Sequence, residues 1–482
     1  DQGGGAFFSD GGALIVANAL IENNSADGTS GSGGGILVVP GSTLSVMGGN
    51  ITGNTATRAG GGIEVNALIT KTVVATLDDV NLQSNATGAN PGNGGALHIT
   101  GPGTVTVMGG EVISNTASAE GGGLWNSVSG TLIVDGTMFR GNVASGAAAD
   151  QGGGALFSDG GKLTVLNSTL SNNSADGTSG SGGGILVVPG SALTVTNSTV
   201  AQNTATRAGG GIEVNATVTK TVAATLNDVD LLQNQTGSNP GNGGALHITG
   251  PGTVTVANSN ITGNTASAEG GGLWNSVSGT LIVDKSTLSG NSATGAAADH
   301  GGGGLYNDGG ALTVSNSTIS GNSAQSTGGG ILNVAGTTSV INVTLYDNSA
   351  ANGAGGINSA AGTTTIANSI VAHAAATGAD CSGVTANGQN LDSDGTCQAA
   401  ITADPQVGPL QLNGGTNFTH ELLMGSPAIN AGDNALCAAA PINNVDQRGQ
   451  ARPFGATCDL GAYERAGITL IIRLFFPFTA TP

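Results

Sequence analysis

Residues 33–59 read GGGILVVPGSTLSVMGGNITGNTATRA, and the rest of the chain is organised around this pattern. A glycine cluster leads into an apolar run, a short stretch alternates apolar with polar residues, and an asparagine follows. The last apolar residue of the alternating stretch recurs as Val16, Val46, Leu77, Val107, Val134, Val165, Val195, Leu226, Val256, Val283, Val314, Val340 and Ile366. Eight residues after each of the first twelve stands an asparagine: Asn24, Asn54, Asn85, Asn115, Asn142, Asn173, Asn203, Asn234, Asn264, Asn291, Asn322 and Asn348. The thirteenth place holds Ala374, and the series stops there.

A period of 26 to 31 residues with several short apolar strands in each unit is the mark of a solenoid. The units are rich in Gly, Thr, Val and Ile and carry no helical spacing of apolar residues, so each reads as one coil of a β-helix. A single coil cannot bury its inner face, whereas stacked coils share one core and pair strand on strand. Thirteen coils at roughly 4.8 Å each predict a rod on the order of 60 Å long. Within a coil, Ile36, Val38, Leu44, Val46 and Ile51 point inward, Thr43 and Ser45 outward, and Asn54 sits at a corner. Amides stacked at the rung spacing can bond one another and the turn backbone, which gives the twelve asparagines a structural role.

A longer period overlays the first. DQGGGAFFSDGG at Asp1 returns as DQGGGALFSDGG at Asp150 and DHGGGGLYNDGG at Asp299, each 149 residues on. Five coils therefore form a superunit, giving a β-helix over 1–374 with superunits 1–149 and 150–298 and a partial one, 299–374. A loop-rich, disulfide-bonded cap is expected over 375–465 and a hydrophobic strand tail over 466–482. In the tail Ile468, Leu470, Ile472, Leu474, Phe476 and Phe478 alternate as one apolar face, with Arg473 among them.

With 87 glycines but no every-third spacing, the chain is not collagen-like, and its regular aliphatics argue against disorder. A net charge of −19 with only 11 Lys and Arg removes the basic face that nucleic acid needs. No apolar run reaches the length of a membrane span. The chain opens at Asp1 and reads as a processed product. The four cysteines all follow the repeats, which favours two disulfides and an oxidising compartment; Cys381 with Cys397 and Cys437 with Cys458 is the pairing expected, among the three that four cysteines allow.

Other constellations have plain readings. Asp392-Ser393-Asp394-Gly395 begins like a calcium loop but lacks the downstream Glu, and no CxxC suggests zinc, so no metal, cofactor or catalytic residue is expected. Alternation in GGALHIT points His98 and His247 to the surface, and Trp125 and Trp274 are surface copies in GGGLWN. A threonine stripe (Thr76, Thr106, Thr164, Thr194, Thr225, Thr255, Thr313, Thr365) reflects strand preference, and the sequon Asn167-Ser168-Thr169 follows from composition.

GGGI, GGAL and GGGL followed by I-x-x-N, as at Ile51 to Asn54, resemble the repeats of chlamydial polymorphic outer-membrane proteins. NLDSDGTC (390–397), GSPAINAGD (425–433) and DQRGQARPFGATCDLGAYE (446–464) are similar to the C-terminal part of bacterial secreted proteins of the choice-of-anchor type. These resemblances imply a right-handed parallel β-helix at the surface of a bacterium. Pectin-degrading β-helix hydrolases carry motifs of which only Asp78-Asp79 is found here, so the chain is expected not to be an enzyme. The expected role is an extracellular structural or adhesive rod, an adhesin or a filament subunit that self-associates head to tail through its terminal strand. A carbohydrate-binding or carbohydrate-cleaving β-helix is the alternative.

Overall fold

The computed structural model of the chain describes residues 3–89, 91–373 and 378–466. The repeated pattern folds into three sheets of parallel strands, of 14, 25 and 12 strands. Twelve turns contribute to all three, so the protein is an all-β parallel solenoid of about twelve turns with almost no helix. The first sheet is built from strands such as Ile36–Val39 and Ile63–Asn66, the second from strands such as Thr43–Thr52, and the third from two-residue strands such as Thr55–Ala56.

Register is kept from turn to turn. On the first sheet Ile36, Ile63, Leu97, Leu124, Leu156 and Ile185 stack in one line, and on the second Val46, Leu77, Val107 and Val134 do the same. These lines form one continuous aliphatic core from Val16 to Cys397. The glycine cluster is explained by backbone proximity: Gly60 adopts φ +61°, and a Cβ on Gly61 would lie 2.3 Å from the Gly95 carbonyl and 2.6 Å from the Ala86 nitrogen.

The twelve asparagines form an unbroken ladder. From Asn24 to Asn322 each Nδ2 donates to Oδ1 of the asparagine one turn on, at 2.9–3.0 Å, and the same Oδ1 accepts from the first residue's backbone N–H. Nδ2 also reaches a carbonyl of the preceding turn, as Asn54 does to Ile21 and Asn348 to Ile319.

Two further ladders were not anticipated from sequence. At the bend in the second sheet, the hydroxyls of Ser168, Ser198, Ser259, Ser286, Ser317 and Ser369 each accept a backbone N–H from the turn before, all at 3.1 Å. In the last turns of the first sheet, Asn275, Asn307 and Asn333 point inward and bond in series at 2.8 and 2.9 Å, ending on Thr364. The residue before each bend serine takes a positive φ, as Asn167 and Asn197 do, both at 48°. The Asn-Ser-Thr triplet is therefore a turn signature.

Pairing continues past residue 374. Cys381–Ser382 joins the first sheet beside Ile357, and Val384–Ala386 and Leu391–Asp392 join the second. Asn390 takes the corner, accepting from the Ser369 N–H at 3.0 Å and donating to the Ile366 carbonyl. A spacing of only 21 residues from Ser369 to Asn390 hid this partial turn. The disulfide Cys381–Cys397 closes the core there.

The chain then turns back along the rod. The carbonyl of Phe418 accepts from Thr287, Gln447 accepts from Thr318 at 2.7 Å, His420 meets Ser320 at 2.9 Å, and the Ala462 N–H reaches Thr344. Ile370 and Ala372 pack with Leu391, Leu422, Ala428 and Leu460 in a second core. The disulfide Cys437–Cys458 lies within this segment. The C-terminal region thus covers both the end of the core and the flank of the last turns.

Removing a carboxamide from the middle of the ladder strands buried donors and acceptors on two turns. Asn203→Ala is expected to cost roughly 3 kcal/mol or more, and Asn24→Ala, at the partly exposed end, about 1 kcal/mol or less, measured by denaturant unfolding.

Candidate functional site

The outward residues at the centre of the first sheet run Leu37, Glu64, His98, Trp125, Phe157, Leu186 and on through Glu213, His247, Trp274, Tyr306 and Leu332. Alternation places them on the outside, yet all ten from Glu64 to Leu332 are buried. Loops leaving the third sheet wall this column on one side, and the ends of the first-sheet strands wall it on the other. The column is the floor of a groove.

Charge is concentrated there. The Glu64 carboxylate, fully buried, accepts from Arg58 at 2.9 Å and Thr100 at 2.7 Å and meets His98 Nδ1 at 2.8 Å. Burial alone would raise its pKa, but His98 and Arg58 together hold it below the usual carboxylate range. The His98 ring stacks on Trp125 at 4.2 Å, and Trp125 on Phe157 at 6.0 Å. Trp125 Nε1 donates to Glu120 at 2.9 Å, and Asn93 donates to the same oxygen at 3.1 Å. Burial, with Asp159 and Asp150 nearby, pushes Glu120 up to about 7.

The second superunit repeats the arrangement. Arg207, Thr249 and His247 surround Glu213, His247 stacks on Trp274 at 4.2 Å, and Trp274 donates to Glu269 at 3.0 Å. Here Tyr306 stands where the first copy has Phe157, and His300 where it has Gln151.

The surface readings of these residues are corrected. His98 is 4% and Trp125 8% exposed, because the loop walls cover outward positions that strand alternation alone assigns to solvent. Both faces of each indole are already stacked, so neither tryptophan offers a free ring. Sequence reasoning missed Arg58, Glu64 and Glu120. Their signal was available: identical charged positions in both superunits of a chain only 9% charged.

The other sequence candidates lie apart. In the Asp392 turn the carboxylates accept local N–H groups, Asp392 from Gly395 and Cys397 and Asp394 from Thr396 and Asp380. No group of three or more His, Cys, Asp or Glu that could hold a metal occurs among the described residues. The strand with Ile468, Leu470, Ile472, Leu474, Phe476 and Phe478 lies outside the described residues. Among the described residues no helix is long and apolar enough to cross a membrane.

No family model matches the chain, and no curated protein matches it. Neither comparison shows the chlamydial-type or choice-of-anchor-type resemblance. Among solved structures, the crystal structure of pectate lyase Pel9A is similar over 88% of each chain, at 15% identity and a TM-score of 0.39. The expectation that the chain is not an enzyme is overturned by this neighbour, which is named as one. At that identity and TM-score the likeness assigns no activity and no residue.

The two kinds of buried carboxyl give stability a maximum in mildly acid solution. Glu120 titrates near 4.5 when unfolded and about 7 when folded, so it disfavours the folded state increasingly as pH rises through that window. Glu64 and Glu213 are held low, so their contribution is present above pH 4.5 and lost as pH falls below it. Thermal unfolding across pH is expected to show Glu120→Gln flattening the decline between pH 5 and 7.5, whereas Glu64→Gln lowers the midpoint at pH 7.

Proposed function

We propose that this chain is an extracellular structural or adhesive rod of a bacterial surface. The observation that carries this reading is the uninterrupted stack: twelve turns locked in register by amide and hydroxyl ladders, with the C-terminal segment fastened along the last of them. A frame of this kind resists extension because adjacent turns share amide bonds at the asparagine corner as well as backbone bonds along every strand. The two disulfides are compatible with an oxidising exterior.

Rods of this kind join head to tail through the terminal strand. Support comes from the sequence alone, where Ile468, Leu470, Ile472, Leu474, Phe476 and Phe478 alternate in the pattern of a strand with one apolar face, the kind that adds to a second subunit. Electron microscopy of the purified chain is expected to show rods joined end to end. Deletion of 467–482 should leave single rods, and polymer that persists unchanged after the deletion would remove the tail from the assembly.

A further inference from the structure

The chain passes from the first sheet to the second along one ridge of the rod, and that ridge is apolar. Most turns cross it through Gly, Pro or Ala, as at Pro102, Gly160 and Pro189. Two turns, five apart, instead raise a short hairpin, closed by backbone bonds between Leu68 and Lys71 and between Thr217 and Lys220. Ile69 and Val218 stand at the tips, 87% and 90% exposed. Val128 and Val277 are exposed on the same ridge, each two turns beyond a hairpin. Aliphatic side chains this open, aligned and repeated, mark a contact surface.

The ridge is also balanced in charge. It carries three of the chain's four lysines, Lys71, Lys162 and Lys220, and three aspartates, Asp10, Asp159 and Asp308, in a molecule of net charge −19. Two such rods can meet here without the repulsion their net charge imposes, whereas a balanced ridge gives an anionic lipid surface nothing to attract it. Between the hairpins the intervening turns form a saddle, roughly 24 Å from tip to tip for five rungs of about 4.8 Å. In it lies a cavity of about 290 Å³ lined by Val128, Gly160 and Gly190 among others. Gly160 has φ +84°, and a Cβ there would lie 3.1 Å from the Val128 side chain, so glycine keeps the saddle open.

We propose that two copies of this chain lie side by side and antiparallel, ridge against ridge, each seating its hairpins in the low turns of the other. Counted from the turn that carries Val16, the hairpins stand at the third and eighth turns, and Val128 and Val277 at the fifth and tenth. One antiparallel register seats all four hairpins: the eighth turn of each rod faces the fifth and sixth of the other, and the third faces the tenth and eleventh. Val218 then meets Val128 of the partner subunit over the cavity, and Ile69 meets Val277 of the partner subunit. The charges agree with the same register. The Lys220 stem leans back one turn, so that a Cβ at Gly190 would lie 3.7 Å from its Cδ, and Lys71 leans likewise over Gly41. Those places face the sixth and eleventh turns of the second rod, which hold the partner's Asp159 and the partner's Asp308. A parallel pair leaves one hairpin unseated. The antiparallel contact is two-fold and closes on itself, and it does not rest on the head-to-tail joint proposed above.

Disulfide trapping of the full chain tests the pairing. A chain carrying both Ile69→Cys and Val277→Cys should, on oxidation, run on a non-reducing gel as a covalent dimer of twice 46.1 kDa. On one rod the two positions are seven turns apart, roughly 34 Å, far beyond the span of a disulfide, so the bond joins two chains. A chain carrying Ile69→Cys and Val128→Cys should stay uncrosslinked, since only a parallel pair brings those two together. Adding Val218→Asp to the first chain should cut the dimer yield about tenfold or more, because it sets a carboxylate against the partner's Val128. All these positions are exposed, so the variants keep the fold. The proposal is overturned by no covalent dimer at up to about 100 µM chain, by equal yield from the Ile69→Cys and Val128→Cys chain, or by a yield indifferent to Val218→Asp. It is overturned equally by a chain that stays uncrosslinked and pellets with phosphatidylglycerol vesicles, which would give the ridge to a lipid surface.

Discussion

At each bend of this chain the strand ladder stops, and backbone N–H and C=O groups would face a dry interior. One carboxamide per turn meets that need. In the run from Asn54 to Asn322, Oδ1 accepts both the backbone and the side-chain N–H of the preceding asparagine, and Nδ2 also reaches a carbonyl of the turn before. Because donor and acceptor belong to successive turns, the bond fixes register as well as satisfying groups. A turn displaced by one residue would lose its corner and invert its inner and outer faces at once. At the neighbouring bend six serines impose the same condition, so the turns that carry them are pinned at two corners.

The groove follows from that frame. Turns held in strict register bring equivalent outward residues together in a line, with loops leaving the third sheet on one side of it and the ends of the first-sheet strands on the other. Outward positions then become interior ones. A carboxylate placed there must be compensated, and Glu64 is, by an arginine, a histidine and a threonine. Glu120 has two N–H donors, but burial and, after it, the acidic neighbours Asp159 and Asp150 push it up to about 7.

The stacked coils, the inward aliphatic lines and the corner asparagines were legible because each repeats at fixed spacing and periodicity reports burial within an element. What periodicity does not report is how loops pack on an element. That is why His98 and Trp125 read as surface residues and proved buried, and why the Arg58 and Glu64 pair, six residues apart in sequence, went unnoticed. The serine ladder was hidden differently: Asn167-Ser168-Thr169 looks like composition until the positive φ of Asn167 and the bond from Thr137 to Ser168 show a corner. The return of 403–466 along the flank, with bonds spanning more than a hundred residues from Gln447 to Thr318, has no repeat to betray it.

The stacked aromatics bear on how five turns could be copied as a block. Trp125 belongs to the last turn of one superunit and Phe157 to the first turn of the next, and Trp274 meets Tyr306 across the following boundary. Each superunit therefore carries a ring on the outward face of its last turn that matches a ring on the first turn of its copy. A block with complementary ends can be joined to itself without leaving a mismatch in the groove. The two boundaries differ in their polar groups and keep the stack: Tyr306 stands where Phe157 does and donates its hydroxyl to the Asp299 carbonyl at 3.3 Å, His300 stands where Gln151 does, and the ring centroids lie 5.8 Å apart.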